Sequence, residues 1–454
     1  MAPRPSPAAR PDKMPKQPTD HTTEARLAPG FNATRRRFIG RAVQGAALVP
    51  LAASANTVGV AGNGSGPGIA VPIGGALRYD NHEVWARLVE LAGGPGVRFA
   101  VFATAAGNPE RSAGQIMQAL RRHGAEPVHI AVAPGLRGVD VAAAVQDERW
   151  ITTVLGCRGV FFAGGAQERI TATLQPGGQP TPLLNAVWSV FNAGGVVAGT
   201  SAGAAVMSRL MFRDAQSVMK VLKGQLTDGR ETDRGLGFVG PDLFIDQHFL
   251  KRGRIGRMLP LMTARGYQLG LGVEENSAAI VRGDQIEVIG ARGALLADLR
   301  EATHGRQGPV WELQGALLSF LDRGDRYDLT RRSLQPSATK AAEPVIDANA
   351  PSFKPYFNDR PFHLDILGDN TIANAMAHLI DNTATEVLGL AADVMPAADD
   401  PAPDLAFEFR LHKRPESRGW FSGALGGEDY SVAHLGLDVR PVRISLPLYT
   451  PWRR

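Results

Sequence analysis

Between residues 67 and 200, short apolar runs alternate with helical stretches, and this alternation leaves few folds open. Runs at 68–73, 97–103, 127–132, 159–163 and 195–199 read as strands, while 81–92, 111–123, 139–155 and 182–192 carry helical periodicity. Strands separated by helices of this length build βαβ units around a parallel sheet. Such sheets bind ligands in the crevice at the carboxyl ends of their strands. The expected fold class is therefore α/β, a doubly wound and mostly parallel sheet. Three strand ends are marked by glycine, at Gly74-Gly75, at Gly164-Gly165 and at the turn 199–203.

That turn reads Gly199-Thr200-Ser201-Ala202-Gly203 and passes directly into helix-forming residues. It has the G-x-S-x-G pattern of a nucleophile elbow, in which flanking glycines let a strand bend sharply into a helix and present the serine at the sheet rim. A capped strand-to-helix turn without chemistry has the same pattern, so the rest of the chain has to decide. A serine hydroxyl needs a base to take its proton, and the base needs an orienting partner.

His248 follows the apolar run 243–247, and the expectation is a second parallel strand end on the same rim as Ser201. Beyond it, Lys251, Arg252, Arg254 and Arg257 cluster at a helix start. The helix dipole disfavours cations there, which suggests that they face an anionic ligand. Glu274 and Glu275 follow a third apolar run and offer a carboxylate for His248, with either residue open to the role. The chain order would be serine, histidine, acid, which argues against the α/β-hydrolase family, where the acid precedes the histidine. There is no H-E-x-x-H, no Cys/His ligand cluster and no phosphate-binding loop, so neither a metal nor a cofactor is expected.

Charge is local. The chain carries a formal +5, yet residues 1–55 hold nine Lys/Arg against three Asp/Glu, leaving 40 against 41 in residues 56–454. No basic field remains to attract nucleic acid. The excess belongs to an expected targeting segment. Thr34-Arg35-Arg36-Arg37-Phe38-Ile39 resembles the twin-arginine export signal, and residues 42–55 end in Ala53-Ser54-Ala55, a small-x-small cleavage pattern. A passenger of the twin-arginine translocation machinery and a periplasmic or extracellular location are expected. Cys157 is the only cysteine, which rules out an intrachain disulfide and suits a buried thiol.

Four motifs together, 161–167, 199–204, 246–249 and 252–257, resemble the cyanophycinases. These are serine peptidases of the family that also includes the aspartyl dipeptidases. The resemblance covers about residues 67–325. It implies a flavodoxin-like, class-I-glutamine-amidotransferase-like fold. It also implies hydrolysis of cyanophycin, a poly-aspartate chain with arginine on each β-carboxyl, to β-aspartyl-arginine dipeptides, and a homodimer. It assigns Ser201 as nucleophile, His248 as general base and Glu275 as the third member. Substrate contacts fall on Gln167, Asp246, Gln247, Arg252, Arg254 and Arg257, a mixture of cations and acceptors suited to a ligand with both charges. Ala202 and Gly165 are the expected oxyanion donors. Two positions depart from the family pattern: Ala166 and Glu274 each stand where an aspartate is expected. A related peptidase acting on other aspartyl or isoaspartyl peptides, and an inactive polymer-binding module, are the alternatives.

The expected organisation is a signal peptide over 1–55, a linker over 56–66, a catalytic domain over 67–330, a linker or wrapping arm over 331–355, and a small α+β or β-rich extension over 356–454. In the extension 371–380 reads as a helix, and 405–411 and 439–448 as strands.

Overall fold

The structure, a computed structural model, describes residues 68–213, 217–307, 310–424 and 426–452. The expected export signal and the linker after it lie outside the described residues.

Five parallel strands form the centre: β1 (Ile69–Ile73), β2 (Arg98–Phe102), β3 (Glu126–Ile130), β4 (Gly159–Phe162) and β5 (Val196–Thr200), in the spatial order β3-β2-β4-β5-β1. Side chains alternate across the sheet, as strand geometry requires. Val71, Val101, Phe161 and Ala198 share one buried cluster with Trp85 and Leu88 of helix His82–Ala92 and Ile116 of helix Pro109–Arg122. Their neighbours Ala70, Phe102, Val160 and Val197 pack on the opposite side with Ile170 and Leu174 of helix Gln167–Leu174 and Leu184 and Val187 of helix Pro182–Asn192. Burial on both faces explains why these strands read as unbroken apolar runs. The sheet is mixed overall, because Ser277–Arg282 pairs antiparallel with β1, and Gln285–Gly290, Arg326–Asp328 and Ser333–Gln335 follow outward.

Local signals set the helix limits. Asn81 caps the first helix by accepting from Val84 N, and Asn108 caps the second by accepting from Arg111 N, with Pro109 in its first turn. The single helix expected over 139–155 is instead two, Val141–Ala144 and Glu148–Leu155. Asp147 ends the continuity by turning its carboxylate onto Arg149 N as the cap of the second.

Leu243–Gln247 and Leu269–Val273 are parallel to each other, as expected, but they do not join the sheet of β5. They form one end of a second sheet that continues through Ala294–Asp298, Val310–Leu321, Asp429–Arg443, Leu405–His412 and Glu386–Ala391. The common rim expected for Ser201 and His248 is therefore an abutment of two sheets. The physical reason is that hydrophobic periodicity fixes which residues are buried, but not which strand edge they pair with. The C-terminal region is β-rich and hydrogen-bonds directly into this second sheet through Leu313, Leu317 and Leu318 opposite Val439, Gly436 and Leu435. Helix Thr371–Ile380 covers it with Ile372, Met376 and Leu379. The segment 331–355 lies along the body: Leu334 is in the outermost strand of the first sheet, Lys340 is buried against Asp322, and Ile346 bridges Gly419. Within the aromatic stretch 419–423, Phe421 packs against the core of the second sheet.

Candidate active site

Ser201 stands at the junction of β5 and the short helix Ala202–Ala205, with φ 54° and ψ −108°. A non-glycine residue held there stores about 1–3 kcal/mol of backbone strain, which persists only where the surroundings impose it. They do so here: Ser201 N donates to Ile73 O at 3.0 Å, and Gly203 lies so close to Phe162 that a Cβ would fall 2.3 Å from its carbonyl oxygen.

His248 also has positive φ, 49°, at the end of Leu243–Gln247. Its backbone N–H donates to Gly74 O at 2.5 Å, which joins the second sheet to the end of β1. Gly75, with φ +112°, lies against the imidazole, where a Cβ would come within 2.2 Å of Cε1. Ser201 Oγ is 2.8 Å from His248 Nε2, and His248 Nδ1 is 2.6 Å from Glu275 Oε1. An ionised carboxylate only accepts, so Nδ1 carries the proton and Nε2 is left as the acceptor for the serine hydroxyl. Burial lowers the His248 pKa below its usual 6.5, Arg252 and Arg254 push the same way, and the bond to Glu275 opposes them. The imidazole is thereby held neutral, the state in which it can take a proton.

The adjacent acid does something else. Glu274 is fully buried, and its Oε2 accepts from Leu250 N at 2.5 Å and Lys251 N at 2.9 Å. It fixes the backbone just past His248.

The loop after β4 completes the rim. A Cβ on Gly164 would lie 3.3 Å from the Ser201 Cβ, and Gly165, with φ +143°, presses on the Ala105 carbonyl so closely that only glycine fits. Ala202 opens the helix after Ser201, where first-turn amides have no intrahelical acceptor.

Of the six residues expected to touch substrate, five are buried. Arg257 is 1% exposed and forms a bidentate pair with Asp246, Nε to Oδ2 at 2.7 Å and Nη2 to Oδ1 at 2.5 Å, while its guanidinium lies 4.1 Å over the Phe212 ring. Arg254 donates to the Gln247 carbonyl at 2.6 Å and to its side-chain oxygen, and burial pulls its pKa down to about 9. Gln167 donates to Phe212 O at 2.8 Å. For Arg257 this corrects the expectation of a cation facing the ligand: its charge is paired with Asp246 inside the protein, since an unpaired buried charge is too costly to keep, although its Nη1 has no partner, and Arg254 bonds only through Nη1. Arg252 is the exposed member. Sequence reading singled out the glycines at 74–75 as a strand end but missed their contact with the imidazole, because nothing local links residue 75 to residue 248.

Comparison with known proteins matches residues 78–289 to the model of Peptidase family S51. The span contains Ser201, His248 and Glu275. A cyanophycinase of Trichormus variabilis is 28% identical over 277 residues, covering 58% of this chain and 87% of that protein. The cyanophycinase of Geminocystis herdmanii is likewise 28% identical, covering 59% and 94%. The chain carries a cyanophycinase-like S51 peptidase domain. A solved peptidase from an acI-B1 Actinobacterium is 20% identical, with a TM-score of 0.43 over 58% of this chain and 97% of that one. The S51 match ends at residue 289, so most of the second sheet, from Ala294–Asp298 onward, lies outside it.

Proposed function

We propose that this S51 peptidase is a serine-type cyanophycinase that releases β-aspartyl-arginine dipeptides through an acyl-enzyme on Ser201. The observation that carries the reading is the hydrogen-bonded chain from Ser201 Oγ through His248 to Glu275. His248 Nε2 takes the hydroxyl proton as Oγ attacks the scissile carbonyl of an aspartate residue. The tetrahedral oxyanion is held by backbone N–H groups of Ala202 and Gly165, whose electrostatic support matters most in the transition state. The imidazolium, stabilised by Glu275, then protonates the leaving amine. Water, deprotonated by the same histidine, releases the acyl group and restores the serine.

Export through the twin-arginine pathway, a periplasmic or extracellular site of action, and a homodimer belong to the same proposal. They rest on residues 34–55 and on the resemblance to cyanophycinases.

A second reading is favoured by the mutual pairing of Asp246 and Arg257. With both spent on each other, the site suits other aspartyl or isoaspartyl peptides, using the same serine, histidine and glutamate.

The test is incubation of residues 56–454 with insoluble cyanophycin and with simple aspartyl dipeptides, beside Ser201→Ala. Release of β-Asp-Arg that disappears in the variant supports the first reading. Cleavage of dipeptides alone supports the second. Retention on the granules without turnover would make the chain a binding protein and overturn both.

A further inference from the structure

The segment 367–370 belongs to the C-terminal region outside the S51 match, yet it sits on the loop that carries His248. Asn370 N donates to Leu250 O at 3.3 Å. Gly253, with φ +55°, is pressed so closely to this segment that a Cβ would lie 2.2 Å from Leu367 O, and one on Gly256 would lie 3.2 Å from Leu367 Cδ1. Between these contacts, Lys251 Nζ is ion-paired with the carboxylate of Asp369. Lys251 is three residues from His248, and its backbone N–H donates to Glu274, the neighbour of Glu275, at 2.9 Å. Its partner Asp369 therefore stands at the edge of the same site.

Both halves of this pair are about half exposed, 47% for the Lys251 side chain and 45% for Asp369. That distinguishes them from Asp246 and Arg257, which are sealed. An exposed ion pair is weak and opens at little cost. A ligand bringing one carboxylate and one guanidinium can take both halves, each charge exchanging one partner for another. Asp369 suits the guanidinium, since a carboxylate accepts two parallel N–H bonds from its planar fork.

We propose that Asp369 is a specificity-determining residue of the peptidase site, receiving a substrate guanidinium while Lys251 receives a substrate carboxylate. The inference rests on the cyanophycinase reading for its ligand, and it makes the C-terminal region a working part of the site.

The experiment compares two soluble aspartyl oligomers, one with arginine on the β-carboxyls and one with citrulline, its neutral isostere. Wild type, Asp369→Asn and Asp369→Glu are assayed in the full mature chain, with thermal unfolding as a check on folding. The wild type should prefer arginine by about tenfold in kcat/KM, and Asp369→Asn should bring the two substrates within about twofold by raising KM for the arginine form at unchanged kcat. Asp369→Glu should keep the preference. An Asn variant that keeps it, or that loses both substrates equally, would reduce Asp369 to a structural contact and overturn the inference. A wild type that cleaves neither oligomer, yet cleaves another aspartyl peptide, would overturn the cyanophycinase reading and the assigned ligand together.

Discussion

Glu274 and Glu275 are adjacent in sequence and serve different groups. Glu275 Oε1 meets His248 Nδ1 at 2.6 Å, while Glu274 Oε2 accepts the backbone N–H groups of Leu250 and Lys251. One carboxylate orients the imidazole, and the other holds the loop that presents it. Successive residues leaving a strand project to opposite sides, so a single turn supplies both.

The two acids should separate in kinetics and stability. Glu275→Gln preserves shape but cannot stabilise the imidazolium, and kcat should fall by about 10²–10⁴-fold with little change in unfolding midpoint. Glu274→Ala leaves the buried N–H of Leu250 unpaired, at about 1–3 kcal/mol, and frees the partly buried N–H of Lys251, and should lower the midpoint in urea as well as kcat. Equal behaviour of the two variants would contradict the division of roles.

The pH dependence of kcat/KM follows from the surroundings of His248. Protonated imidazole cannot take the serine proton, so activity falls on the acid side as His248 titrates. Burial, aided by Arg252 and Arg254, places the folded pKa below 6.5, so the acid limb should lie below that value. Arg252→Ala removes a depressing charge at an exposed position, and the limb should move to higher pH. A limb that stays in place, or moves lower, would count against this assignment.

Gly75→Ala tests the contact between β1 and the imidazole. The added methyl would lie 2.2 Å from His248 Cε1 at a backbone φ of +112°, so the ring must shift. A displacement of about 1 Å costs roughly 10²-fold in rate, and kcat should fall by that order. Loss of reactivity towards a serine-directed phosphonate would report the same displacement without substrate.

The Asp246–Arg257 pair is predicted to govern stability. Removing one partner of a buried ion pair strands the other, so Arg257→Ala should cost about 3–5 kcal/mol in unfolding free energy. Arg257→Met with Asp246→Leu, which removes both charges, should recover much of that loss. Denaturant unfolding of the three variants would decide it. If Arg257→Ala unfolds like wild type but binds substrate poorly, the cation faces the ligand after all.

Much of the centre was legible because its physics is local. Apolar runs from 68 to 199 gave the five parallel strands, since residues buried on both faces of a sheet leave an unbroken signature. The glycines around Ser201 announced the sharp turn, because only such residues allow the close approach that an elbow requires. The pairing of Ser201 with His248 could be proposed from types and order, and the choice between Glu274 and Glu275 could not. That choice depends on which way each side chain leaves the turn after Leu269–Val273, relative to a strand of the same sheet. The burial of Arg257 was equally hidden, for a cation beside a helix start reads the same whether it faces a ligand or Asp246. The seating of Asp369 on Lys251 joins residues 118 positions apart. Sequence thus determined the strands of the central sheet, the candidate nucleophile and the set of candidate partners, through periodicity and backbone chemistry acting over a few residues. The tertiary structure decided which strand edges meet, which charges are sealed and which stand at the rim, because those are contacts between segments that carry no mark of each other.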